Sequence, residues 1–296
     1  MSRDHLVLGT RKGVIIAERR NGDWHITHDG LHGIPVPYAT LDPRTGTLWA
    51  TLDHGHWGQK LNRSRDMGRT WEEVTAPKYP EGAMVKPDVP ATCRYLWVFQ
   101  PGPASQPGRL YIGTEPGGLF VSDDDGETWT LNEPLWNLPE RPEGWFGGGR
   151  DFAGIHSILV DPRDSKRVLI GISCAGVIET TNGGATWNLR NRGLSADFLP
   201  DPNAEVGQDP HFVSWCPNDP DKVWQQNHCG IFFSSDGAKE WKKVSTDGAL
   251  ANFGFAVAVD ENDGNTALVV PADSDGNRVA KDGALAVCRS SDGGQT

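Results

Sequence analysis

The hydrophobic positions of this chain fall in short runs and not at helical spacing. β-Branched and aromatic residues form runs of about four to six residues, and Gly, Pro, Asp or Asn separates one run from the next. No convincing stretch of about 12 residues places apolar side chains at i, i+3, i+4 and i+7, as an amphipathic helix would. The pattern therefore predicts an all-β protein.

Three such runs recur in a fixed order, which indicates a repeated unit. The first run ends in an Asp-Pro turn or a relative of it, the second follows directly, and a turn containing Gly leads into the third. The first runs are residues 38–41, 158–160, 213–216 and 256–259; the second are 47–51, 109–113, 167–171 and 222–225; the third are 118–121, 176–179 and 230–233. Each unit therefore contains at least three predicted strands.

A polar octet follows the third run and closes the unit. It occupies residues 64–71, 122–129, 180–187 and 234–241; a last copy at 290–296 stops before its Trp, and a degenerate copy ends at Trp24. The octet tryptophans recur roughly every 54–58 residues, which is the length of a four-stranded propeller blade. Asp and Asn bond their own backbone and Gly supplies positive φ, so the octet predicts a tight hairpin turn. The Trp that follows is large enough to fill the space between blades.

The octet resembles the Asp-box of the sialidase-like (BNR repeat) β-propellers. The strings at 9–13, 154–157, 208–211 and 253–255 are also similar to bacterial cytoplasmic Asp-box proteins labelled glycosyl hydrolase or exo-α-sialidase-like. The resemblance implies a propeller whose Asp-box turns lie on the face away from the active site. The chain departs from true sialidases because it has no Arg-Ile-Pro motif; the nearest string is Gly33-Ile34-Pro35.

The count of repeats predicts one Asp-box propeller domain spanning residues 1–296. The first unit begins directly in a second-strand pattern, and the sixth breaks off at Thr296. We therefore expect a seven-bladed propeller of which about six blades are present, with the C-terminal closing part missing.

Composition and net charge argue against some classes of binding partner. The net charge of −11 disfavours nucleic acid and anionic membranes, and the 12 tryptophans argue against disorder. The sequence shows neither a signal peptide nor an apolar run long enough for a membrane span, so we expect a cytoplasmic protein. Five scattered cysteines predict reduced thiols and no disulfide framework.

Candidate chemistry concentrates in two sets of loops, those between second and third strands and those that enter each first strand. In propellers these loops rim the central funnel. Five of the nine histidines fall in them, together with acids that include Asp209. The candidate catalytic residues are Asp53, Glu115, Asp151, Arg11, Arg94 and Arg150, and the candidate substrate-binding residues are His56, Trp57, His156, His211 and His228.

The leading hypothesis is a sialidase-like glycoside hydrolase that acts on a small or anionic carbohydrate and needs no cofactor. Asp53 with Glu115, or Glu115 with Asp151, would be the carboxylate pair, at about 5–5.5 Å if retaining or 6.5–9.5 Å if inverting. The arginines would hold an anionic sugar bidentately, and Trp57 or Trp145 would stack on a sugar face.

Two other functions remain open at this point. One is a metal-dependent enzyme, in which His54-x-His56 joins His228, His211 or Cys174 around a transition ion. The other is a non-catalytic propeller that binds a ligand or assists assembly, recognisable by an exposed apolar patch. A plainer interpretation is that the rim side chains only hydrogen-bond the loops. The sequence predicts no oligomeric state.

Overall fold

Six antiparallel sheets carry the predicted repeat, so the chain is an all-β, six-blade β-propeller. The computed structural model describes residues 4–296. We number the sheets as blades 1 to 6 in chain order. In each four-stranded blade the chain passes from one strand to its neighbour, so first, second, third and fourth strands lie side by side.

The first three blades contain eleven strands, and two further strands form a separate small sheet. Blade 1 contains β1 (His5–Thr10), β2 (Gly13–Arg20) and β3 (Asp23–Gly30); blade 2 contains β4 (Tyr38–Asp42), β5 (Thr47–Asp53), β6 (Gln59–Ser64) and β7 (Glu72–Val74); β8 (Met84–Lys86) pairs with β9 (Val89–Pro90); and blade 3 contains β10 (Tyr95–Pro101), β11 (Leu110–Glu115), β12 (Leu119–Ser122) and β13 (Thr130–Leu131).

Two short helices precede the remaining three blades. They are α1 (Glu133–Trp136) and α2 (Arg141–Gly144); blade 4 then contains β14 (Ile155–Val160), β15 (Val168–Ile172), β16 (Gly176–Thr180) and β17 (Asn188–Leu189); blade 5 contains β18 (Pro210–Cys216), β19 (Asp219–Asn227), β20 (Gly230–Ser234) and β21 (Lys242–Lys243); and blade 6 contains β22 (Gly254–Val259), β23 (Ala267–Pro271), a 3₁₀ helix (Lys281–Gly283) and β24 (Cys288–Ser290).

The second strand of each sheet has a neighbour on both edges, and those of blades 3 and 4 are the most deeply buried of them. Every residue of β11 and β15 is buried, because neighbouring strands satisfy both edges and apolar side chains cover both faces. The antiparallel register pairs Tyr38 with Thr51 and Val168 with Val160. The second runs predicted from the sequence match the observed second strands β5, β11, β15 and β19.

The octets form tight turns, as predicted. In blade 3 the Oγ of Ser122 accepts the Gly126 N–H at 2.9 Å, and Asp124 Oδ1 accepts the Thr128 N–H at 2.9 Å. The Thr128 hydroxyl donates to Asp124 Oδ2 at 2.6 Å. Gly126 has φ +83°, a conformation in which a side chain would be strained. The turn thus uses the acidic side chain as an internal brace.

Two of the octet tryptophans tie their blade to the one before it. The indole N–H of Trp129 donates to the carbonyl of Thr75 at 2.9 Å, and that of Trp241 donates to the carbonyl of Arg190 at 2.7 Å. Both acceptors lie just beyond the fourth strand of the preceding blade. This agrees with the predicted position of the ring between blades.

The chain divides into two compact units, the first ending at Asn132 and the second beginning at Glu133. Each unit holds three blades. A single domain and a seventh blade stay predictions. Within residues 4–296, no helix has the length and the hydropathy of a membrane-spanning segment.

Candidate functional site

In the first unit, two predicted catalytic carboxylates lie at equivalent strand ends of adjacent blades. Asp53 is the last residue of β5, and Glu115 is the last residue of β11. The side-chain amide of Gln59 donates to Asp53 Oδ1 at 2.8 Å, while its oxygen accepts the Leu96 N–H at 3.3 Å. Leu96 lies on β10, whose residue Tyr95 pairs with Glu115. Gln59 therefore joins the ends of blades 2 and 3 that carry these acids.

Glu115 is the more enclosed of the two acids, with 2% of its surface exposed, whereas Asp53 is half-buried. The carbonyl of Glu115 accepts the Arg94 N–H at 2.8 Å, which places the exposed Arg94 at the same strand end. Asp53 therefore lies at the rim end of blade 2, and Glu115 and Arg94 lie at that of blade 3. Burial gives a carboxyl group there a setting in which its interactions are stronger than in water.

The remaining candidates of the first unit are exposed. Arg11 lies in the turn between β1 and β2, and His56 and Trp57 lie in the turn between β5 and β6. Trp57 is 67% exposed, and its ring meets that of His56 edge-on at a centroid distance of 4.6 Å. Their proposed contact with substrate stays a prediction.

In the second unit, the rim brings His211 and His228 to a single acid, Asp209. His211 Nε2 and His228 Nδ1 each lie 3.6 Å from Asp209 Oδ2. One atom from each side chain can be chosen so that all three lie within 4.8 Å of one another. Among residues 4–296, these three form the one group of His, Cys, Asp and Glu side chains with spacing suited to a metal ion.

The hairpin of β18 and β19 explains this convergence. Pro210 pairs with Asn227, so the residues just outside this pair, Asp209 and His228, meet at the rim. The His228 N–H donates to the Asp209 carbonyl at 2.9 Å and continues the ladder. His211 follows Asp209 by two residues and lies at the register shift between Pro210 and Phe212.

Neighbouring loops hold the cluster in place. Asp209 Oδ1 accepts the Cys174 N–H at 2.9 Å and the Ser173 hydroxyl at 3.2 Å, leaving Oδ2 directed at the histidines. His211 Nδ1 lies 2.7 Å from the carbonyl of Gly254. Burial raises the pKa of the Cys174 thiol to about 12, so Cys174 contributes its backbone to the cluster while its thiol stays protonated.

Burial and the neighbouring groups shift the pKa of Asp209 in opposite directions. Burial raises the pKa of Asp209, but the contacts with His211 and the Cys174 N–H, together with the charge of His228, lower it below its ordinary value. His156, a predicted substrate-binding residue, is 4% exposed. Burial lowers its pKa to about 4, so His156 is neutral at pH 7.

Aromatic rings surround the two histidines. His211 stacks on Phe255 at 4.8 Å, and Phe253 meets both His211 and His228 edge-on at 5.3 and 5.6 Å. Phe198, which is 41% exposed, meets His228 at 5.3 Å. The cluster is therefore a polar group in a largely aromatic wall.

The glycine-rich loop before β14 packs beside this wall. A Cβ on Gly148 would lie 2.4 Å from Cys174 Sγ, and one on Gly149 would lie 3.0 Å from a guanidinium nitrogen of Arg278. The glycines therefore permit a close approach that larger residues would block. The loop ends in the half-buried Arg150 and the exposed Asp151, whose catalytic roles stay predictions.

Sequence reasoning placed His211 and His228 on the rim but omitted Asp209 from the candidate site residues. An antiparallel hairpin turning near residues 216–219 brings residue 209 near residues 226–228, but the pairing that sets it beside His228 depends on the two register shifts between β18 and β19. The second proposed carboxylate pair, Glu115 with Asp151, has one member in each unit and stays a prediction.

Comparison with known proteins identifies distant relatives of the chain and solved structures with a similar fold. No protein-family model matches the chain. It is 30% identical over 80 residues to the oligoxyloglucan-reducing end-specific xyloglucanase of Emericella nidulans, an alignment covering 27% of this chain and 9% of that protein. A probable enzyme of the same description from Neosartorya fischeri is 30% identical over 83 residues, or 28% of this chain and 9% of that protein. The chain thus spans a small part of these curated relatives, which are glycoside hydrolases.

Solved structures extend the likeness in fold. The GH74 xyloglucanase of Xanthomonas campestris superposes with a TM-score of 0.67 at 17% identity, covering 99% of this chain and 43% of that one. An ancestral GH74 enzyme superposes with a TM-score of 0.55 at 16% identity, covering 80% of this chain and 27% of that one. At this identity the superpositions show the propeller fold alone.

Proposed function

We propose that the chain is a carbohydrate-acting hydrolase of the glycoside hydrolase class. The observation that carries this proposal is the 30% identity over 80 residues to an enzyme named as a xyloglucanase. The superposition of 99% of the chain on a GH74 xyloglucanase is consistent with it. The residues that would perform the chemistry belong to the rim of blades 2 and 3.

Asp53 and Glu115 are the proposed reacting carboxyl groups. Hydrolysis of a glycoside needs one carboxyl group to protonate the leaving oxygen and a second to act as base or nucleophile. The Gln59 bridge from Asp53 to β10 fixes one acid against the blade that carries the other. A fixed pair lowers the entropic cost of reaching the reacting geometry.

A β-glucan oligosaccharide of the xyloglucan type is the first substrate to test, since the named relatives act on such chains. The finer, sequence-based form of the proposal is a sialidase-like enzyme for a small or anionic sugar. Arg11 and Arg94, both exposed in the first unit, would then hold the sugar carboxylate. Arg150 is the third predicted member of that group.

The test is a hydrolysis assay of the full chain on two panels. One holds xyloglucan and cello-oligosaccharides with a chromogenic reducing end, and the other holds fluorogenic sialosides and neutral glycosides. Glu115→Gln and Asp53→Asn should each lower kcat about 10²–10⁴-fold, the contribution expected of an acid or base. Glu81→Gln is the matched control, because it removes an exposed carboxylate from the segment between blades 2 and 3.

Each outcome of the assay supports or overturns one form of the proposal. Turnover of oligosaccharides that both variants lose supports the proposal with the xyloglucan-type substrate. Turnover of sialosides supports its sialidase-like form. No turnover on either panel from folded protein overturns the hydrolase and favours a non-catalytic carbohydrate-binding propeller, which glycan-array binding would then report.

A further inference from the structure

The hydrogen bond of His211 fixes which of its nitrogens can face Asp209. A backbone carbonyl only accepts, so the 2.7 Å contact with Gly254 O requires the proton on His211 Nδ1. In the neutral imidazole, Nε2 then carries a lone pair and no hydrogen. That lone pair lies 3.6 Å from Asp209 Oδ2, which also only accepts when ionised. A proton on Nε2 or a metal ion bound by both atoms would satisfy this contact.

A proton on Nε2 would satisfy His211 alone, but the same oxygen faces a second imidazole. His228 Nδ1 is also 3.6 Å from Asp209 Oδ2. We propose that Asp209, His211 and His228 bind a divalent transition-metal ion of the zinc type. Two imidazole nitrogens and one carboxylate oxygen form a ligand set typical of such ions and unlike the all-oxygen sets of Mg²⁺ or Ca²⁺.

The spacing of the ligand atoms fits an ion of this size. Zinc lies about 2.0–2.2 Å from nitrogen and oxygen ligands, so tetrahedral ligand atoms lie about 3.3–3.5 Å apart. The two contacts with Asp209 Oδ2 are 3.6 Å, and the three ligand atoms all lie within 4.8 Å of one another.

The surrounding contacts have the form found around metal ligands. A metal-bound imidazole commonly donates its other N–H to a carbonyl, as His211 does to Gly254. The oxygen of Asp209 that faces away from the histidines accepts bonds from Cys174 and Ser173. These partners orient the ligands before the ion arrives.

The site is open on one side. The side chains of His211 and Asp209 are 9% and 10% exposed, whereas that of His228 is 30% exposed. With three protein ligands, a zinc-type ion keeps a position for water or for an oxygen donor of a bound molecule. The ion would therefore exchange with solution and take a further oxygen ligand.

The experiment titrates the full chain with Zn²⁺ in competition with a chromogenic chelator, and with Co²⁺ followed by its visible absorption. Wild type should bind one ion per chain, with affinity that falls on acidification because the imidazoles must be unprotonated. His228→Ala and Asp209→Asn should each weaken binding by more than about 100-fold, since loss of outer partners alone costs 10–100-fold. His32→Ala, which removes an exposed histidine of the first unit, is the matched control.

Asp209→Asn keeps an oxygen for the bonds from Cys174 and Ser173, so it preserves the loop contacts while removing the charged ligand. Circular dichroism establishes that the variants are folded, and the exposed His228 provides the second variant should Asp209→Asn be unstable. Binding by wild type that only the control retains supports the site. Absence of binding by folded wild type, or equal binding by all variants, overturns it and leaves His211 and Asp209 as a protonated ion pair. These readouts do not depend on hydrolase activity.

Discussion

Acidic side chains serve different purposes at the two ends of the blades. At the Asp-box end, Asp66, Asp124 and Asp292 each bond the backbone and hydroxyl of a Thr four residues later. These bonds, with those from Ser, lower the pKa of all three to about 2. At the rim, Asp53 instead bonds the side chain of Gln59 on the next strand, and Asp209 bonds the backbone of Cys174 in another blade.

This difference distinguishes the acids that stabilise the repeated turn from the acids that are candidates for function. An acid of the repeated octet is satisfied inside its own turn and has little capacity left for a ligand. An acid that occurs once, like Asp209, is oriented by other segments so that one oxygen remains directed at its neighbours. We infer that unrepeated rim residues are better functional candidates than the conspicuous repeat.

The ends also differ in how they join blades 2 and 3. At the Asp-box end, Arg44 forms a two-bonded ion pair with Asp42 at 2.9 and 2.7 Å. It also donates to the carbonyls of Gln106 and Arg109 in blade 3 at 3.1 and 3.0 Å. At the rim, the corresponding link is the neutral side chain of Gln59. The Asp-box end should therefore contribute more to stability.

The largest effect is expected for Arg44→Ala. The side chains of Arg44 and Asp42 are 14% and 2% exposed, so the variant leaves a buried carboxylate without its guanidinium partner. Removing one partner of a buried ion pair costs about 3–5 kcal/mol. Urea unfolding followed by tryptophan fluorescence measures the change in unfolding free energy.

Arg65→Ala provides the comparison for that measurement. Its side chain is 64% exposed and lies 3.9 Å from Glu72, so its loss should cost less than about 1 kcal/mol. Equal costs for the two arginines would show that the link between blades at Asp42 does not stabilise the fold.

A smaller effect is expected at the rim from Gln59→Met. The variant keeps the length of the side chain but removes the bonds to Asp53 and to the Leu96 N–H. Neutral hydrogen bonds contribute about 0.5–1.5 kcal/mol each, so we expect a loss of about 1–2 kcal/mol. Lys60→Met, at the next position on β6, is the control for side-chain replacement. A loss as large as that of Arg44→Ala would remove the distinction between the two ends.

The sequence predicted the fold well because the repeat encodes it locally. Each Gly in the octet meets a positive φ, and each apolar run is long enough for one strand of a blade. The alternation of strands and turns therefore needs no information from distant residues. The short helices in the segment after Asn132 were not predicted, since four residues are too few to show helical periodicity.

The candidate site was harder to predict because it depends on register. His54-x-His56 and Asp209-x-His211 have the same spacing, yet His56 is exposed in a turn while His211 lies on a strand. Only the pairing of β18 with β19 brings His228 to the second group. A bulge between Pro210 and Phe212 alters the local register, and the sequence carries no clear sign of it.

The smallest effect concerns the Asp-box acids and acid pH. The pKa of Asp66 and Asp124 is about 2 in the folded chain and about 3.8 when the chain is unfolded, so their contribution is present above pH 4 and is lost as the pH falls toward 2. Asn182 fills the same position in blade 4 and accepts the Thr186 N–H at 2.9 Å. The double variant Asp66→Asn/Asp124→Asn should thus preserve the turns at pH 7 and make the free energy of unfolding depend less steeply on pH between pH 4 and 2.

Urea unfolding midpoints across this range measure that dependence. Asp125→Asn, which removes an adjacent carboxylate without touching the Thr128 bonds, is the control. An equal loss of unfolding free energy in the double variant and the wild type, as the pH falls, would show that these carboxylates do not cause the acid sensitivity of the turns. The contrast with the rim would then rest on geometry alone.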